Sequence, residues 1–168
     1  MTEKIILDNT RENNYLRQYV IQKPKGWLIF DSWNNPWFPL TVRDIDTAEF
    51  DMKLIRKYFH LEYGGKPNDL FLPWHYTIDI VNETPYVINT RPFNYKNLIP
   101  EYEEYLTIMI IGDSNKDIYN DNYYKVIANT IINPFRFLNG FYLLNQRKDF
   151  EFKTGKNFDI DRLFRWIK

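Results

Sequence analysis

The chain has 168 residues, 44% hydrophobic and 18% aromatic, enough apolar side chain for one compact core. Lys plus Arg and Asp plus Glu both total 22, so no net field draws it to nucleic acid or to an anionic membrane. With no cysteine and only His60 and His75, disulfides, thiolate nucleophiles and cysteine-based zinc sites are excluded.

No repeat, linker or low-complexity block divides the sequence. Residues 1–25 are expected to form an N-terminal arm or extension, and residues 26–168 a single domain. The apolar run after Gly26 in "GWLIFDSW" predicts a buried strand, followed by the loop "NNPWFPLTVR". Asp46 stands three residues before Glu49, a capping-box spacing. Phe50, Leu54, Ile55, Tyr58 and Phe59 then give a helix with one apolar face, which "EYGGKPND" ends.

From Trp74, the side chains Trp74, Tyr76, Ile78 and Ile80 alternate with His75, Thr77 and Asp79, which predicts a strand with two different faces. "TPYVINT" gives a second strand close behind, and "YLTIMIIGD", apolar throughout, reads as a central strand covered on both sides. Tyr123, Tyr124, Ile127, Ala128, Ile131 and Ile132 form a helical stripe that Pro134 ends or kinks. "GFYLLN" predicts another short strand, and the last helix begins near Asp159 with Phe158 as an N-terminal staple. The order β, α, β, β, β, α, β, α implies an α/β domain with a mixed central sheet flanked by helices.

The N-terminus lacks the basic start and apolar core of a signal peptide, and runs such as "IMII" are too short to span a bilayer. Synthesis in a cytoplasm is therefore the expectation. The 18 Asn and 19 Ile against 2 Ala are the bias of an AT-rich coding genome, as in bacteriophages and AT-rich bacteria.

This element order, the "PWHYTID" and "LTIMIIGDSNKD" stretches and the spacing of Arg147, Lys148, Asp149, Gly155, Phe158 and Asp159 resemble the type-2 N-acetylmuramoyl-L-alanine amidases over residues 26–167. That family includes the peptidoglycan recognition proteins and the amidase-type phage lysozymes. The resemblance implies an amidase-like fold, with zinc ligands at the end of the first strand and at two positions of the final corner. Those positions fall on Asp31, Arg147 and Gly155 here. An always-protonated guanidinium repels a cation, and glycine offers no donor. Since catalytic zinc needs three protein ligands and an open water position, the resemblance implies a degenerate member with no metal, no cofactor and no catalytic residue. Lys153 falls where some members carry a catalytic lysine, and Trp33, Trp37, Trp74, His75 and Lys153 are the candidates for a residual groove.

His75 on a half-buried strand reads as structural, and the carboxylates of "EYEEY" and "DSNKDIYND" as turn formers and solvated charges. An ion pair between Asp31 and Arg147 is expected to replace the lost metal clip. The functional expectation is a pseudoenzyme serving as a structural subunit of a bacteriophage virion, in its tail or neck, made in the host cytoplasm. Its partners would be itself, as a homo-oligomer, and other virion proteins, with neither nucleic acid nor membrane. The alternatives are a peptidoglycan-binding module without hydrolysis and an atypical cell-wall hydrolase.

Overall fold

The computed structural model describes residues 21, 23–32, 72–81, 83–137 and 144–168. The helix expected over 46–59, the loop carrying Trp33 and Trp37, His60 and residues 1–20 lie outside the described residues.

Among the described residues, five strands form one sheet in the order β3-β2-β4-β1-β5. They are β1 (Trp27–Asp31), β2 (Tyr76–Val81), β3 (Thr84–Asn89), β4 (Leu106–Ile110) and β5 (Phe150–Lys153). β2, β4, β1 and β5 run parallel, and β3 joins β2 as an antiparallel edge. The two central strands, β1 and β4, are buried at every position. Apart from Thr107 and the terminal Asp31 their side chains are apolar, as a parallel strand covered on both faces requires.

One face of the sheet carries the larger core. Trp27 and Ile29 of β1, Ile108 and Ile110 of β4, and Phe150 of β5 meet Tyr123, Tyr124, Ile127, Ile131 and Leu163 from the helices. Helix α1 (Asp121–Val126) is capped by Asn120, whose side chain accepts from Tyr123 N at 3.0 Å. It widens into a π-helical segment over Ile127–Ile132, where Asn133 N–H reaches Ala128 O, and then tightens into a 3-10 turn over Asn133–Phe137. Pro134 lacks an N–H, so the α-helical ladder cannot run through it. Helix α2 (Ile160–Phe164) starts as its sequence predicts. Asp159 accepts from Asp161 N at 3.0 Å and Arg162 N at 3.3 Å, and Phe158 is buried beneath it.

The opposite face has a smaller core of Leu28, Phe30, Leu72, Trp74, Ile99, Met109 and Ile111. Strict alternation would place Trp74 with Tyr76 and Ile78 on the larger core. It lies on the other face instead, edge-on to Phe30 at 5.9 Å, because residues 73–75 bend before β2 begins. The polar side of β2 is not a solvent face either, since Thr77 and Asp79 are buried.

Two further observations bear on segments read from the sequence. The last strand of the described sheet is Phe150–Lys153; of the expected "GFYLLN" strand, residues 140–143 lie outside the described residues, and Leu144 and Asn145 are irregular. Ile21, inside the segment expected to be an arm, is buried in the larger core, and its N–H donates to Asn94 O at 2.7 Å.

Candidate functional site

From β1 the chain leaves to build β2 on the far side of β4, and from β4 it leaves to build β5 on the far side of β1. Neighbouring parallel strands whose connections depart in opposite directions open a crevice at their carboxyl ends, where ligands of α/β sheets bind. Asp31 and Ser32 end β1 at this point, Gly112, Asp113 and Ser114 follow β4, and Gly155 follows β5.

Among the described residues, the loop after β4 occupies this crevice. Asp31 Oδ2 accepts from Ser114 N at 3.0 Å and from the Ser114 hydroxyl. The same hydroxyl oxygen accepts from Gly155 N. Ser32 Oγ accepts from Gly112 N at 2.9 Å. Asp113 turns the loop by accepting from Asn115 N at 3.0 Å, and Asp117 Oδ2 accepts from Asp113 N at 2.9 Å. Gly112 has φ +129°, a backbone conformation that favours glycine. Asp113 therefore does form a turn, as its sequence predicts, but it is buried rather than solvated.

Beneath this loop, Tyr119 and Tyr123 stack with ring centroids 4.7 Å apart. Both hydroxyls are buried without a hydrogen-bond partner. Burial drives both far above the ordinary phenol range, helped for Tyr119 by the Asp117, Asp31 and Asp113 carboxylates. Both remain neutral donors at physiological pH.

Of the three positions the family resemblance marks as metal ligands, only Asp31 and Gly155 come together, bridged by the Ser114 hydroxyl. Trp27 pairs with Phe150 and Phe30 with Lys153, so Asp31 lies just past the carboxyl end of β5 while Arg147 precedes its first residue. At about 3.3 Å of rise per strand residue, the length of β5 separates them. Arg147 bonds Asp161, stands over the Phe164 ring at 5.0 Å and is 57% exposed. The expected Asp31–Arg147 ion pair does not form, because the segment from 147 to 155 runs along the sheet instead of folding into a compact corner.

These residues do not fit a zinc ion. Asp31 is the one possible donor among the three positions, and its Oδ2 already receives two hydrogen bonds from Ser114. A Cβ at position 155 would lie 2.5 Å from Asn115 N, so that position has no room for a ligating side chain. No group of three or more His, Asp and Glu among the described residues is placed to hold a metal ion.

Trp74 and His75, expected in a residual groove, are fully buried. Trp74 Nε1 donates to Thr77 Oγ1 at 2.6 Å, Thr77 Oγ1 lies 3.1 Å from Thr90 Oγ1, and Thr90 Oγ1 donates to Trp74 O at 2.9 Å. His75 Nδ1 accepts from Thr107 N at 3.1 Å, and its Nε2–H donates to Tyr95 O at 2.5 Å. Burial pushes this imidazole down to about 4. The Tyr95 carbonyl opposes the shift, and the nearby Arg91 cation adds to it. With both ring nitrogens engaged, His75 is a latch between β4 and the 90–95 loop, not a base facing substrate. Lys153 is exposed at the end of β5.

Sequence reasoning missed Ser114 and Asn115. They stand 83 and 40 residues from the groups they join, Asp31 and Gly155, and only the order of the strands brings these together.

The fold is similar to that of a solved peptidoglycan recognition protein, PGRP-Hd from Alvinella pompejana. The match has a TM-score of 0.54 at 12% identity and covers 88% of this chain and 84% of that one. No protein-family model and no curated protein matches the chain in sequence. The mixed five-stranded sheet with its flanking helices is an amidase-like fold.

Proposed function

We propose that the chain is an amidase-fold domain that does not hydrolyse amides and is retained for its surfaces. The observation that supports this most is the closed crevice. Where a zinc amidase needs three ligands and an open water position, Asp31 is bonded to Ser114 and Gly155 lies against Asn115.

As a finer reading, the domain is a structural subunit of a bacteriophage particle, in its tail or neck, that assembles with itself and with other virion proteins. The AT-rich composition and apolar side chains left in solvent, Ile118 at 88%, Leu98 at 54% and Tyr86 at 46% exposure, support it. Among the described residues no helix is long and apolar enough to cross a membrane. A second reading, a peptidoglycan-binding module, draws support from the similarity of fold to a peptidoglycan recognition protein.

Three measurements on the purified chain separate these readings. Turnover of a muramyl peptide, abolished by chelator and restored by zinc, would overturn the non-hydrolysing reading. Sedimentation with purified sacculi would favour the wall-binding module. A multimer in native mass spectrometry without sacculus binding is the outcome expected for the assembly subunit.

A further inference from the structure

In the sequence, Gly155 reads as a ligand that has been lost. In the fold it is required, because Asn115 occupies the space its side chain would take, with Asn115 N at 2.5 Å and Asn115 Cγ at 2.6 Å from where a Cβ would stand. The close approach carries a set of bonds. Asn115 Oδ1 accepts from Lys156 N at 3.0 Å, Asn115 O accepts from Asn157 Nδ2 at 3.1 Å, and Ser114 O accepts from Asn157 N at 2.8 Å. Ser114 Oγ completes the set, donating to the Asp31 carboxylate and accepting from Gly155 N.

We propose that the corner is rebuilt around Ser114, whose hydroxyl clasps β1, the loop after β4 and the turn after β5 without a metal ion, and that this clasp and a ligand side chain at 155 exclude each other. Absence of a ligand at 155 and presence of the clasp are then one structural change. A cysteine placed at 155 does not create a metal site. It pushes out Asn115 and opens the corner. This inference rests on the reading of the corner as non-catalytic, yet it can fail by itself.

The test compares thermal unfolding of the full chain, Ser114→Ala and Gly155→Cys, each with added zinc and with chelator. The wild type is expected to melt within about 1 °C of the same temperature in both, since an ion that bound the folded state would raise it. Ser114→Ala removes a donor to a buried carboxylate and the acceptor of a backbone N–H, and is expected to melt about 5–10 °C lower. Gly155→Cys is expected to melt lower as well and to retain only substoichiometric zinc after gel filtration. A wild-type melting temperature raised by zinc, an unchanged Ser114→Ala, or one tightly held zinc per chain in Gly155→Cys would each overturn the clasp.

Should Ser114→Ala not fold, amide exchange in the wild type decides. The Gly155 N–H is expected to exchange as slowly as those of β1 and β4, and rapid exchange would refute the bond to Ser114. Hydrolysis of a muramyl peptide by the wild type would overturn the non-catalytic reading while leaving these results standing.

Discussion

His75 gives the domain a dependence on pH that can be worked out from its surroundings. Its imidazole is fully buried, so a charge there loses its solvation; the Tyr95 carbonyl opposes that cost and the nearby Arg91 cation adds to it. The imidazole therefore titrates at about 4 in the folded chain against 6.5 when free. A depressed pKa means that the unfolded chain binds the proton first. The stabilisation is complete above pH 6.5 and is lost as the pH falls through 4. At about 1.4 kcal/mol per pH unit, the loss across that window totals about 3 kcal/mol. Urea unfolding of the wild type and of His75→Gln, measured every half unit from pH 7 to 4, isolates it, because His60 and the carboxylates cancel in the difference. The wild-type advantage is expected to shrink steadily below pH 6.5. A difference that stays constant to within about 0.5 kcal/mol would refute the assignment of His75 as a buried neutral latch.

Three other substitutions follow from the geometry. Arg147→Ala removes an exposed pair with Asp161 and should cost under about 1 kcal/mol in urea unfolding; a loss of several kcal/mol would mean that Arg147 clips the sheet ends after all. Asp159→Ala deletes the cap of α2 and should cost about 1 kcal/mol by the same assay. Ile131→Ala opens a cavity in the larger core and should cost about 2–5 kcal/mol, with a cost below 1 contradicting its placement there.

The parts legible in the sequence are those fixed by neighbours along the chain. "WLIF" reads as a buried strand and "LTIMI" as a central one because no polar residue but Thr107 interrupts them, and Asp159 reads as a cap because Phe158 precedes it and the apolar stripe follows at once. The site was legible only in part. Spacing placed Arg147 and Gly155 eight residues apart, as a metal corner requires, but spacing carries no direction, and the four strand residues Phe150–Lys153 turn those eight residues into a span along the sheet. "FEFK" offers too short an alternation to announce itself as a strand. Trp74 left its predicted face because a bend precedes β2. The meeting of Asp31 with Ser114 depends on β1 and β4 being neighbours, which no local pattern encodes.

The loop that sits in the crevice is covalently attached to its own receptor. A tethered occupant competes at an effective concentration of about millimolar or higher, so a dissolved anion, sugar or ion entering from outside would have to bind more tightly than that merely to break even. Among the described residues, the switch point of this sheet thus behaves as a lock with its key welded in, and Ile118 stands in solvent on the very loop that closes it.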